Sequence, residues 1–137
     1  MSLVLDASMA IAWLFDDEAT DGTASVLRRV AATGAVVPSL WRLEVANVLR
    51  NAVRRGRCDE LYVDRSLDRL SRPRVTVDAE TDSRAWSTTR ALAREQGLTL
   101  YDAAYLDLAM RLSLPLACRD RALIAAAAAC GFEVLTG

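Results

Sequence analysis

Four acidic residues lie among apolar neighbours, at positions where a lone carboxylate is unfavourable. In TLYDAAYLDLAMRL, read as a helix, Asp102 faces apolar residues one turn along, and such a carboxylate is costly unless its charge is compensated. Asp107 in the same segment has a partner in Arg111 four residues later, so we predict that it lies on a solvated face. Glu44 in SLWRLEVANVLRNAVRRG also faces a mostly apolar helix surface. The full candidate set is Asp6, Glu44, Asp102 and Asp120.

Carboxylates that lie close together need a compensating charge, because like charges repel and otherwise hold protons. Magnesium or manganese, which prefer oxygen ligands, suit a chain that contains no histidine. A metal held in this way acidifies an attacking water and stabilises the leaving oxygen in phosphoryl transfer. A phosphodiester also needs positive charge along its backbone, and three arginines at helical spacing are candidates for that role: Arg50, Arg54 and Arg57.

Each of these residues also has an ordinary structural explanation. Asp6 and Asp120 could be helix N-caps, and Asp102 could be a first-turn acid favoured by the helix dipole. Glu44 could pair with an arginine elsewhere in the fold. The arginines could form a solvated helix end. The hypothesis of a joint site therefore depends on whether the fold brings the four acids together.

The chain is predicted to alternate between short strands and helices. Strands are predicted at 3–5, 35–37, 75–77, 114–118 and around Val134, and helices at 9–15, 24–32, 40–55, 59–71, 81–95, 99–112 and 120–130. This α/β alternation is typical of a parallel sheet covered on both sides, in which ligands gather beyond the carboxyl ends of the strands. Asp6 and Asp120 each follow a strand, and Asp102 and Glu44 can face the same edge. The topology therefore predicts that all four acids converge.

The composition describes one folded domain. We predict a single domain over residues 1–137, because the chain is 53% hydrophobic and carries a formal net charge of -1. All 17 basic residues are arginine, which excludes chemistry that needs a lysine amine. The cysteines, Cys58, Cys118 and Cys130, show no pairing pattern. With neither a signal peptide nor a membrane-spanning segment evident, we predict a cytoplasmic protein that does not associate with a membrane.

Four segments occur in order over nearly the whole chain: LVLDASMAIAWLF, PSLWRLEVANVLR, LTLYDAAYLDLAMRLSLPLA and CRDRAL. Together they resemble the PIN-domain ribonucleases, and most of all the VapC toxins of bacterial toxin–antitoxin pairs. The resemblance implies a single PIN-like domain, an α/β/α sandwich with a short, mostly parallel sheet. It also implies that Asp6, Glu44, Asp102 and Asp120 form an acidic quartet that binds Mg²⁺, or Mn²⁺ in its place, and hydrolyses RNA.

Further features follow from the same resemblance. Ser8 matches a small polar residue two positions after the first aspartate, which implies a hydrogen-bonding role beside the acids. Cys118 departs from the family pattern, which usually has threonine or serine there. A thiol is a weaker hydrogen-bond partner than a hydroxyl, so the positioning of Asp120 is less assured. The resemblance also implies a homodimer that a cognate antitoxin protein holds inactive.

Two other readings remain open. Receiver domains and haloacid-dehalogenase-type phosphatases also place an aspartate after a parallel strand, but both normally require a lysine, and the phosphatase motif has a second aspartate where this chain has Ser8. A catalytically degenerate PIN-like module that only binds a protein partner is the non-enzymatic alternative. The presence of all four acids argues against it, whereas Cys118 leaves room for it.

Overall fold

Residues 2–137, which the computed structural model describes, contain one sheet of five short parallel strands. The strands are β1 (Val4–Leu5), β2 (Ala35–Val37), β3 (Val75–Val77), β4 (Leu116–Ala117) and β5 (Val134–Leu135). Their order across the sheet is β3-β2-β1-β4-β5, and each neighbouring pair is parallel. The connections run outward from β1 in one direction and from β4 in the other. The order thus reverses between β1 and β4, which is where folds of this kind bind ligands.

Apolar residues form the central strands because these strands are buried on both faces. Val4 of β1 is aligned with Val36 of β2 and with Leu116 of β4. Gly34 leads into β2 with a φ of +77°, and a Cβ at this position would lie 2.8 Å from the backbone oxygen of Arg74. Glycine therefore permits the close approach of the two chain segments that enter β2 and β3.

Eight helices of the described chain complete an α/β/α sandwich. They are α1 (Ala7–Ala12), α2 (Asp21–Thr33), α3 (Trp41–Arg54), α4 (Glu60–Ser71), α5 (Thr81–Arg84), α6 (Thr88–Gln96), α7 (Leu100–Leu112) and α8 (Arg121–Ala129). Five helices begin at a residue whose side chain accepts a hydrogen bond from a first-turn N–H: Asp6, Thr20, Asp59, Thr99 and Asp120. The caps at Asp59, Thr99 and Asp120 coincide with predicted helix starts, whereas Thr20 caps a helix that was predicted to begin later.

Three predicted helices differ from the structure. The first was expected at 9–15, but α1 begins at Ala7 and ends at Ala12. The helix predicted at 24–32 is α2, which begins three residues earlier, at Asp21, after the Thr20 cap. The helix expected at 81–95 is divided into α5 and α6, and Trp86 in the break is 89% exposed. In one continuous helix, Arg84 and Thr89 would be rotated about 140° apart. The break lets both contact Asp107 of α7.

The core lies where α1 and α7 pack beside the central strands. Leu3, Met9, Tyr105, Leu106 and Leu123 are all fully buried there. Among the helices of residues 2–137, none combines the length and the apolar character that crossing a membrane requires.

Candidate active site

Asp6 lies directly after β1, where the chain leaves the sheet and enters α1. Its Oδ2 accepts hydrogen bonds from the Ser8 hydroxyl and, at 3.3 Å, from the Ser8 backbone N–H. The residue is only 4% exposed. Burial raises the pKa of Asp6 to about 7, and the carboxylates of Glu44 and Asp102 add to that rise, whereas the Ser8 hydrogen bonds lower the pKa. This acid therefore ionises fully near neutral pH only when positive charge is supplied nearby.

Ser8 joins the two loops that flank the reversal point of the sheet. Its hydroxyl donates to Asp6 and accepts a 3.0 Å hydrogen bond from the backbone N–H of Arg119. Arg119 lies in the loop after β4, immediately before Asp120. Ser8 thus fixes the loop after β1, which carries Asp6, against the loop that carries Asp120.

Glu44 lies in the first turn of α3 and is half-buried. The phenolic hydroxyl of Tyr105 donates to its Oε1 at 2.6 Å. Burial raises the pKa of Glu44 and the nearby Asp102 carboxylate adds to the rise, whereas the Tyr105 hydrogen bond lowers the pKa. Burial also raises the pKa of Tyr105, which keeps its hydroxyl protonated as a donor. Glu44 is therefore held in place by a fully buried tyrosine of α7.

Asp102 and Asp120 complete the set from two further helices. Asp102 lies in the first turn of α7 and Asp120 is the N-cap of α8, where its side chain accepts from the Leu123 N–H at 2.9 Å. Burial raises the pKa of Asp102, and the neighbouring Asp120 carboxylate raises it further. Asp102 is thus unfavourably charged in the isolated protein.

The structure brings the four predicted acids together at one edge of the sheet. Repulsion links Asp6 with Glu44 and with Asp102, Glu44 with Asp102, and Asp102 with Asp120. Within residues 2–137, no three carboxylate, thiol or imidazole side chains form a ready-made metal site. The donor set is nevertheless all oxygen and carries excess negative charge, which suits a hard divalent cation.

The family model described as the PIN domain matches residues 3–129 of the chain. This chain belongs to the PIN domain family. PIN domains are typically nucleases, and PIN nucleases generally use divalent metals. The sequence-based identification of the family is therefore confirmed, as is the expected α/β fold.

Two solved structures resemble this PIN domain. PAE2754 from Pyrobaculum aerophilum is 27% identical and has a TM-score of 0.69, with 92% of this chain and 84% of that chain covered. FitAcB from Neisseria gonorrhoeae is 17% identical and has a TM-score of 0.66, with 98% of this chain and 96% of that chain covered. The second likeness concerns the fold alone. No curated protein sequence matches the chain.

Cys118, where the resemblance implies a hydroxyl residue, is completely buried in this PIN domain. Burial raises the pKa of its thiol to about 12, and the nearby Asp6 carboxylate contributes to that rise. The thiol is therefore protonated at neutral pH in the metal-free protein, in contrast to reactive thiols, whose pKa is lowered. Its position between β4 and Asp120 makes it part of the packing beneath the acids.

The three predicted substrate-binding arginines do not share one helical face. The helix α3 ends at Arg54, so Arg57 lies beyond it. The Arg57 guanidinium donates to Asp17 at 2.7 Å and to Glu18 at 2.8 Å, and it lies 3.8 Å from the centroid of the Phe15 ring. Arg50 and Arg54 are exposed on α3. The helical-spacing argument failed because the chain turns at Gly56, where φ is +73°.

The prediction that Asp107 lies on a solvated face beside Arg111 is wrong. Asp107 is 7% exposed and accepts two hydrogen bonds from Arg84, at 2.7 and 2.9 Å. Arg111 instead pairs with Asp78 and Glu80, at 2.6 and 2.9 Å. The physical reason is that α7 is buried all round from 103 to 109, so the face that carries Asp107 meets α5 and α6 rather than water.

Sequence reasoning missed two residues at the site. Tyr105 follows Asp102 by three residues, so helical spacing was a signal that it shares the face of that acid. Arg119 directly precedes Asp120, but its contacts with Ser8 and Glu18 are between segments far apart in the chain. No local pattern indicates such a contact.

Proposed function

We propose that this PIN domain is a metal-dependent ribonuclease that acts as the toxin of a VapC-type toxin–antitoxin pair in the cytoplasm. The observation that carries the catalytic part is the convergence of the four acids at the reversal point of the sheet, where each lies close enough to at least one other for their charges to repel. A protein that only needed these residues for packing gains nothing from such repulsion, whereas a cation-binding site depends on it.

Asp6, Glu44, Asp102 and Asp120 would hold Mg²⁺, with Mn²⁺ as a substitute. A metal held by these residues would supply positive charge to the phosphodiester and would acidify the water that attacks it. The protein contributes orientation. Ser8 fixes Asp6, Tyr105 fixes Glu44, and the caps of α7 and α8 fix the remaining two acids.

The experiment that tests the catalytic part is cleavage of total RNA by the purified protein. It compares Mg²⁺, Mn²⁺ and excess chelator, and it includes Asp102→Asn. Asp64→Asn is the matched control, because Asp64 lies exposed on α4 and loses the same charge. We expect discrete cuts that disappear with chelator and with Asp102→Asn but persist with Asp64→Asn. A folded protein that leaves RNA intact under all these conditions would instead be a degenerate binding module.

The toxin role is supported by the resemblance of the four sequence segments to VapC proteins, and an antitoxin is its implied partner. Growth of a bacterial host during induced expression tests this role. We expect growth to stop with the wild-type chain and to continue with Asp102→Asn at the same protein level. Continued growth with an active, well-expressed ribonuclease would separate the nuclease from the toxin.

Homodimer formation belongs to the same proposal. Large side chains are strongly exposed on the single chain, and such surfaces favour protein contacts: Leu43, Trp86 and Tyr101. Light scattering of the wild type and of Trp86→Ser measures the mass directly. A monomeric wild-type protein would contradict the dimer without affecting the nuclease.

A further inference from the structure

A cavity of about 400 Å³ lies beside the acids on the side of Ser8 and Asp120. It is lined by Ser8, Ile11, Glu18, Val48, Arg119 and Asp120. Because Ser8 and Asp120 belong to the site described above, the cavity is continuous with it. Arg119 is the one cation among the lining residues.

The guanidinium of Arg119 is only loosely paired. Its Nη1 lies 3.6 Å from Glu18 Oε1, which is longer than a hydrogen bond. The other oxygen of Glu18 accepts a 2.8 Å hydrogen bond from Arg57, so Arg57 already neutralises much of the Glu18 charge. By comparison, Arg84 makes contacts of 2.7 and 2.9 Å to Asp107. Arg119 therefore keeps donors that a ligand can use.

The backbone of Arg119 is fixed even though its side chain is not fully paired. Its N–H donates to Ser8 Oγ at 3.0 Å, and the Ser8 hydroxyl in turn donates to Asp6. The side chain is 29% exposed, so it is reachable from water. A cation with spare donors is thus anchored one residue from Asp120, beside the acids.

We propose that Arg119 binds a backbone phosphate of the RNA substrate and that Glu18 holds the guanidinium when no substrate is present. This inference rests on the proposed nuclease function and names a residue for its substrate. A planar guanidinium binds two phosphate oxygens at once, which is a better arrangement than the single long contact to Glu18. When the phosphate takes the place of Glu18 beside Arg119, Glu18 remains paired with Arg57, so neither charge is left without a partner.

The test compares Arg119→Ala with Arg121→Ala, which removes the same charge from an exposed position at the start of α8. Binding of a short fluorescein-labelled single-stranded RNA of mixed sequence is measured by anisotropy in the Asp102→Asn background, over a series of salt concentrations. We expect Arg119→Ala to weaken binding about tenfold, as for a lost charged hydrogen bond, and to reduce the salt slope by about 1. Arg121→Ala should change the affinity by less than about twofold.

Cleavage of the same RNA by the otherwise wild-type chain gives a second readout. Arg119→Ala should raise KM far more than it lowers kcat, because the phosphate contact exists in the ground state as well. Arg119→Lys keeps the charge but cannot donate to two phosphate oxygens in the same plane, so its KM should lie between those of the wild type and Arg119→Ala. The lysine variant also replaces the alanine variant in this test if the alanine variant unfolds. Equal affinities for the Arg119 and Arg121 variants would overturn the proposal.

Glu18→Gln and Asp17→Asn test the role assigned to Glu18. Both remove one negative charge and one partner of Arg57, but only Glu18→Gln releases Arg119. We expect Glu18→Gln to tighten RNA binding about two- to fivefold relative to Asp17→Asn, the range of an exposed ion pair. No difference between the two variants would contradict a holding role for Glu18.

The outcomes also separate this proposal from the nuclease function. Cleavage by the wild type with indistinguishable Arg119 and Arg121 variants overturns only the role of Arg119. RNA binding that depends on Arg119 without any cleavage overturns only the nuclease. A wild-type chain that neither binds nor cleaves RNA overturns both.

Discussion

Helix α7 carries two aspartates in opposite electrostatic situations. Asp107 is nearly inaccessible, and both of its oxygens accept hydrogen bonds from Arg84. Asp102 is half-buried about one and a half turns earlier, where burial raises its pKa and the neighbouring Asp120 carboxylate raises it further. One acid has its counter-charge within the fold, and the other needs it from outside.

This difference separates structural acids from functional ones better than burial does. A buried charge is tolerated when its partner is present, and the removal of either partner leaves the other uncompensated. A repelled charge lowers the stability of the isolated protein, and an acid in that situation is a candidate for ligand binding. The two aspartates therefore predict opposite responses to the same Asp→Asn change.

The largest effect is expected at Asp102. Asp102→Asn should lower RNA cleavage about 1000-fold, the upper end for a lost electrostatic group in an active site, while the free energy of unfolding stays equal or rises because a repulsion is lost. Initial cleavage rates with Mg²⁺ and urea unfolding of the metal-free protein measure the two quantities. A clear loss of stability would contradict the comparison.

Asp107→Asn should lower stability and leave cleavage almost unchanged, which is the reverse of the expectation for Asp102→Asn. Loss of one partner from the Arg84 pair should lower the free energy of unfolding by roughly 3 kcal/mol, the low end for a broken buried pair. Cleavage per folded molecule should remain near the wild-type value, since Asp107 does not face the acids. Urea unfolding measures the free energy of unfolding, and active-site titration gives the concentration of folded enzyme by which the cleavage rate is divided.

A double replacement sharpens this second prediction. Arg84→Met combined with Asp107→Leu removes both charges, and such exchanges are often close to neutral for stability. We expect the double variant to recover most of the loss seen with Asp107→Asn. A double variant as unstable as the single one would show that the pair is not the cause.

Most of the fold could be predicted from the sequence because its elements have local signals. Short apolar runs mark the strands, and capping residues such as Asp59 and Thr99 mark helix starts. The division between α5 and α6 has no such signal. It follows from the packing of Arg84 and Thr89 on Asp107, which is a contact between distant segments.

The candidate site was predictable to a similar degree. Asp6 and Asp120 follow β1 and β4, and a parallel sheet brings such positions to one edge. The partner of Asp107 could not be predicted in this way. An oppositely charged residue four positions along a helix stabilises an ion pair only weakly, so tertiary contacts override it. For the same reason Arg57 was assigned to a free helical face, although Asp17 and Glu18 bind it.

The pH dependence of stability tests whether the acids of the candidate site lack a counter-charge within the protein. Burial raises the pKa of Asp6 from 3.8 to about 7, so between these values the native state binds more protons than the unfolded state. Stability of the metal-free protein should therefore fall as pH rises through this window, by about 2 kcal/mol from pH 5 to pH 7, and level off above it. The raised pKa values of Glu44 and Asp102 act in the same direction.

Urea unfolding of wild type and Asp6→Asn at several pH values checks this sign. The variant has no titrating group at position 6, so its stability should change less over the same range. A wild-type protein that becomes more stable between pH 5 and pH 7 would mean that Asp6 has a favourable charge partner.

The smallest effect is expected at Tyr105, which holds Glu44 in place but is not one of the four acids. Tyr105→Phe keeps the buried ring and removes only the 2.6 Å hydrogen bond to Glu44. The Mg²⁺ concentration for half-maximal cleavage should rise about tenfold, as for groups that orient a metal ligand, while the rate at saturating Mg²⁺ changes little. Tyr62→Phe is the matched control, because its hydroxyl donates to the Leu14 carbonyl, away from the acids. If both variants shift the Mg²⁺ requirement equally, the effect reflects lost stability, and Glu44 needs no positioning by Tyr105.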